Sequence, residues 1–147
     1  MYELDAGPLV AVEKAHIGKD ETGLELRARL NGIAKKLLVQ IMPELIAGTA
    51  KLTEQDKTLA TFCGKIAKED GLINLSGDGE LNYRKFRAYF GWPGIFTYFD
   101  RSGKRIRTII TKAHLDGEKF VIDSVKPEGK GEMPFADFVR SGAKPIV

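Results

Sequence analysis

Little in this sequence invites redox or metal chemistry. A single cysteine, Cys63, excludes an internal disulfide, and no CxxC pair or histidine cluster accompanies it. The two histidines, His16 and His114, stand far apart. No apolar run approaches the roughly 20 residues that a membrane-spanning helix requires. Where a signal or transit peptide carries basic residues, this chain has Glu3 and Asp5. There is no internal repeat and no low-complexity tract. The charge excess is small: 23 Lys and Arg against 20 Asp and Glu give +3 at pH 7. These shortages predict a soluble, cytoplasmic chain with no metal and no membrane partner. At 147 residues and 43% hydrophobic, it has material for one ordinary core or two small modules.

What is present changes character along the chain. Residues 1–72 carry 10 Lys and Arg against 11 Asp and Glu, whereas residues 73–147 carry 13 against 9, so the positive excess lies in the second half. The density of apolar residues in Leu9-Val10-Ala11-Val12-Glu13-Lys14-Ala15 predicts a mostly buried strand. Leu26, Leu30, Ile33, Leu37, Ile41 and Leu45 then recur at helical spacing, which predicts a helix over residues 20–48. Thr22 and Glu25 form a candidate capping box, Gly48 suits the stop, and Pro43 should kink the helix or start a new turn. From Thr49 to Gly79 the pattern is polar and aperiodic, as in a connector, with short anchors at Ala60-Thr61-Phe62 and Leu72-Ile73-Asn74-Leu75. Asp78 is placed to cap a short helix over 80–90.

The chain pivots at Arg87-Ala88-Tyr89-Phe90-Gly91-Trp92-Pro93-Gly94-Ile95-Phe96-Thr97, where helical spacing gives way to strand-like, aromatic-rich sequence. Trp92 is expected as a core plug, and core packing is expected for Tyr89, Phe96, Tyr98 and Phe99 ahead of base stacking. Beyond the pivot, Asp100-Arg101-Ser102-Gly103 and Asp116-Gly117 separate three strands, and a short helix follows near 134–139. Such a set makes a small, twisted, partly open barrel or sheet. Arg101, Lys104, Arg105 and Arg107 lie on and just after the first hairpin turn, with Lys112, Lys126, Lys130, Arg140 and Lys144 further on. Cations alternating along a strand usually only solubilise its wet face. Clustered on a small sheet, they also form a surface for a phosphate backbone. Cys63 is expected as a small buried hydrophobe, and His16 and His114 at the surface.

Four blocks, in order, resemble the C-terminal part of the methionyl-tRNA formyltransferase family. They are Leu4-Asp5-Ala6-Gly7-Pro8; Gln55-Asp56 with Ala60-Thr61-Phe62 and Lys65 through Asn74; Arg87-Ala88 through Trp92-Pro93-Gly94 with Phe96-Thr97; and Pro127-Glu128-Gly129-Lys130 with Met133 and Asp137-Phe138. Asn74 and Leu75 stand where the family usually has Asp and Trp, and Gly91 replaces a Pro. The resemblance implies an α+β chain: the last strand and helix of a Rossmann-like formyltransferase domain over 1–50, a linker over 51–78, and a small, trimmed OB-like β-barrel over 79–147.

The family transfers a formyl group from 10-formyltetrahydrofolate to the amino group of initiator methionyl-tRNA, through a tetrahedral oxyanion that needs aimed donors and proton transfer. By this resemblance Asp5 is the catalytic carboxylate, Tyr2, Glu3, Leu4 and Gly7 belong to the folate-binding loop, and Arg101, Lys104, Arg105, Arg107, Lys112, Lys126, Lys130 and Arg140 face tRNA. Asp5's usual companions, an Asn and a His two positions apart, are lacking: Asn31, Asn74 and Asn82 are followed by Ile33, Ser76 and Arg84. The expectation is a C-terminal fragment that binds tRNA and catalyses only with an N-terminal catalytic half. Two rivals remain, another member of the formyltransferase superfamily (formyltetrahydrofolate-processing or acting on a sugar nucleotide) and a stand-alone RNA-binding module.

Overall fold

A computed structural model describes residues 4–146, which divide into two compact units, one of residues 4–19 with 25–65 and the other of residues 20–24 with 66–146. The chain is α+β, with helices α1 (Gly23–Ala47), α2 (Gly79–Ala88) and α3 (Phe135–Arg140). Its strands are β1 (Ile95–Arg101), β2 (Lys104–Asp116), β3 (Lys119–Pro127), β4 (Met133–Pro134) and β5 (Lys144–Pro145). Among the described residues no helix is long and apolar enough to cross a membrane.

The first unit is built on α1, whose apolar stripe forms as its spacing predicts. The helix continues through Pro43, where a kink or new turn was expected. It closes in a Schellman arrangement, with Thr49 N–H on Glu44 O at 2.9 Å and Gly48 N–H on Leu45 O at 3.2 Å. No residue of α1 is buried. The strand expected over Leu9–Ala15 shrinks to one antiparallel bridge, in which Leu9 and Thr53 exchange hydrogen bonds of 2.8 and 2.9 Å. A strand forms only where neighbours take up its N–H and C=O groups, and among the described residues Thr53 is the one that does so here. Phe62, expected to be pinned down, is 96% exposed, and Cys63 is exposed rather than buried.

The second unit holds the core: Ile73, Tyr83, Phe86, Ile95, Phe99, Ile110, Val125, Phe138 and Ala143. Its antiparallel sheet has the order β4-β3-β2-β1-β5. The β1–β2 and β2–β3 hairpins turn at the two predicted places, and β2 is irregular between Ile110 and Ala113. Alternation sends Ile95, Thr97 and Phe99 of β1, Thr108 and Ile110 of β2, and Val125 of β3 into the core. There Phe99 meets Phe138 and Phe135 edge-on, with centroids 5.1 and 5.9 Å apart. Asp78 caps α2 as expected, accepting from Leu81 N–H at 3.0 Å. The Leu72–Leu75 anchor also forms, because Ile73 N–H donates to Phe96 O at 3.0 Å. Gly71 sits where any Cβ would run into the Gly94 carbonyl, so only glycine lets the two segments approach this closely.

The pivot is a corner closed by Gly94 N–H on Tyr89 O at 3.0 Å, with a cis Trp92–Pro93 bond. Trp92 is not a core plug: it is 58% exposed. Phe99 and Phe138, brought together from β1 and α3, fill the interior in its place.

Candidate nucleic-acid interface

The face of the sheet turned away from the core carries the chemistry. Since alternate residues of β1 point into the core, Phe96 and Tyr98 must lie on the opposite face. The hairpin register sets Phe96 opposite Ile109 and Tyr98 opposite Arg107, so Arg105 and Arg107 share that face with the two rings. Each arginine reaches diagonally to a ring: the Arg105 guanidinium carbon lies 3.7 Å from the Tyr98 centroid, and that of Arg107 lies 3.8 Å from the Phe96 centroid. A cation held over an aromatic face gains about 0.5–1 kcal/mol at an exposed site, and its side chain is already ordered before any ligand arrives.

Arg107 is also one wall of a cavity of about 440 Å3, shared with Ile109, Lys126, Pro127, Glu128, Gly129, Lys130 and Gly131. Lys126 is brought in by its register opposite Ile109 on β2. Lys130 arrives through a tight turn in which its N–H donates to Pro127 O at 3.0 Å, with Gly129 at φ +73°. Glu128 N–H donates to Arg107 O at 2.9 Å, which ties this turn to β2. Four of the eight basic residues that the resemblance assigns to tRNA, Arg105, Arg107, Lys126 and Lys130, thus form one patch.

The other four lie apart from it. Arg101 and Lys104 face each other at the β1–β2 turn, and Arg101 Nε donates to Ser141 O at 3.3 Å. Arg140 is paired with Asp137 at 2.7 Å, which offsets much of its charge. Lys112 sits at the irregular step of β2 opposite Ser124. The residues that composition alone did not mark are Phe96 and Tyr98 as supports for the guanidinium groups, and Glu128 in the cavity wall. The signal was the alternation of aromatics on β1 against arginines on β2, readable once the hairpin turn is fixed.

In the first unit, Asp5 takes φ +59° within an exposed loop. Its conformation is set from 50 residues downstream: Gln55 Nε2 donates to Asp5 O at 2.8 Å and to Gly7 O at 2.7 Å. Leu4 is 94% exposed. Tyr2 and Glu3, assigned with them to a folate-binding loop, lie outside the described residues. Exposed on all of its described members, this loop does not by itself enclose a pterin.

Tyr83 and Asp56 titrate away from their ordinary values. Burial, reinforced by its hydrogen bond to Asp20 Oδ1 at 3.0 Å, pushes the Tyr83 hydroxyl up. The Thr58 hydroxyl and backbone N–H, both donating to Asp56, hold that carboxyl below its usual range. His114 and Asp123 form an exposed pair at 2.9 Å across β2 and β3, and His16 is exposed, as expected for both histidines. Among the described residues no group of three or more His, Cys, Asp or Glu is placed to hold a metal ion.

No protein-family model matches the chain. Individual curated proteins do. A methionyl-tRNA formyltransferase of Treponema pallidum is 38% identical over 104 residues, covering 71% of this chain and 32% of that protein. One of Akkermansia muciniphila is 32% identical over 130 residues, 88% of this chain and 39% of that protein. One of Kosmotoga olearia is 37% identical over 94 residues, 64% of this chain and 30% of that protein. The chain spans about a third of the length of these relatives.

Proposed function

The chain is kin to the methionyl-tRNA formyltransferases over a segment about a third of their length, and on that premise we propose that it is the C-terminal, RNA-holding part of such an enzyme. Joined to an N-terminal catalytic half, it would serve transfer of a formyl group from 10-formyltetrahydrofolate to initiator methionyl-tRNA, in the cytoplasm, at the start of translation. Alone, it holds tRNA without reacting it.

The observation that carries this reading is the patch of Arg105, Arg107, Lys126 and Lys130. Two of its four cations are pre-ordered by rings at 3.7 and 3.8 Å, on the sheet face opposite Phe99, where Phe96 is itself buried as its expected packing role requires. Acyl transfer to an amine needs a base and an oxyanion donor together, and a lone carboxylate side chain such as that of Asp5 brings a proton acceptor without the separate donor that the oxyanion requires. The apolar residues exposed in the first unit, among them Val39 at 73% and Ile46 at 81%, support a piece that belongs to a larger catalytic fold.

Titration of tRNA with the 147-residue chain at several salt concentrations tests this. Four phosphate contacts give a log–log slope of about −3, and Arg107→Ala flattens it by about 1. A salt-independent or absent interaction would remove the RNA-binding reading. Formylation of methionyl-tRNA by the chain alone would remove the non-catalytic one.

A further inference from the structure

The cavity beside β3 has features that a phosphate backbone does not use. Phosphates are met by exposed cations on an open surface and need neither depth nor apolar walls. This depression, open to solvent on one side, measures about 440 Å3, a volume within the range of roughly 300–1,000 Å3 typical of small-ligand sites, and Ile109 and Pro127 contribute apolar wall. Glu128 lines it between Lys126 and Lys130. An ionised carboxylate repels phosphate and only accepts hydrogen bonds, so whatever enters has to bring donors as well as negative charge. A nucleotide has both, on opposite sides of its sugar.

We propose that this cavity takes one unpaired nucleotide of a bound RNA. Its base stacks on the Arg107 guanidinium, whose far side rests on Phe96, and its amino or imino edge donates to Glu128. Its flanking phosphates meet Lys126 and Lys130. Stacking of splayed bases on arginine planes is a general mode of RNA recognition, and a base inside an A-form duplex is not available for it. The walls are formed in advance, because the Glu128 N–H to Arg107 O bond and the Lys130 N–H to Pro127 O bond fix the turn against β2. The inference rests on the RNA-binding reading above and adds what kind of nucleotide the surface selects.

The test compares three RNAs in anisotropy titrations with the intact chain: a blunt duplex, the duplex with one bulged guanosine, and the same bulge made abasic, which keeps the added phosphate. The bulged guanosine is expected to bind about tenfold tighter than the other two. Glu128→Ala should erase that preference, and Glu128 is exposed, so the fold is not at stake. Equal binding of all three RNAs, or a bulge preference that survives Glu128→Ala, would overturn the nucleotide pocket and leave the RNA-binding reading standing. Binding of none of them would overturn both.

Discussion

The two units of this chain contain similar stretches of apolar sequence and treat them in opposite ways. In the second, Phe99, Phe138, Ile95 and Val125 are at most 1% exposed, closed in by strands that alternate and by helices laid against one face. In the first, α1 has a regular apolar stripe and not one buried residue. The difference lies in what each segment can reach. A hairpin supplies its own neighbours within a few residues, so its alternation turns directly into burial. A helix stripe only declares which side wants cover, and the cover comes from other segments. An amphipathic pattern is therefore evidence of a face, and burial is a separate finding.

The strongest way to break this comparison is to truncate one side chain on each side of it. Phe99→Ala removes a ring that is 0% exposed and touches Phe135 and Phe138, and should cost about 3–5 kcal/mol in chemical denaturation of the chain. Ile46→Ala, at a residue 81% exposed, should stay within about 0.5 kcal/mol. Equal costs would mean that α1 is covered in solution and would end the contrast.

A smaller effect sharpens the edge of the second unit, where residues 20–24 are held to α2 by Tyr83 on Asp20 and by Arg87 donating to Glu21 O at 3.2 Å. Tyr83→Phe should cost about 1 kcal/mol at neutral pH. The Tyr83 hydroxyl is raised in the folded protein, so its contribution is complete below the ordinary tyrosine value near 10 and is lost as pH climbs through the raised one. Stability curves of the parent and Tyr83→Phe should accordingly converge in strong alkali. Curves that stay parallel would show that the hydroxyl does not tie these residues down.

The smallest effect concerns the Asp5 loop. Gln55→Ala should leave the unfolding midpoint unchanged yet lower the backbone order parameters of residues 5–7 measured by NMR relaxation, since both hydrogen bonds from Nε2 hold carbonyls of this loop. Unchanged order parameters would mean that the loop keeps its shape without Gln55.

Particular residues show where sequence reasoning reached and where it stopped. Asp78 as a cap, the turns at Ser102-Gly103 and Asp116-Gly117, and the stripe of α1 are local matters, decided by a handful of neighbouring residues, and each is found as expected. Trp92 and Cys63 were misjudged because hydrophobic character sets a preference for burial and not a place in a core. The basic patch was half visible. Eight cations were assigned to tRNA, and four of them share one face because β2 and β3 pair in a register that sets Lys126 opposite Ile109.

By itself, then, the sequence determined the helices, the hairpins, the excess of positive charge in the second half and the kinship to a formyltransferase family, since each rests on neighbouring residues or on their order. Which cations converge, which rings hold them, and that Gln55 reaches back to Asp5 were decided only by tertiary structure. Those relations join residues up to 50 positions apart, and strand register and chain reversal, rather than residue type, set their distances.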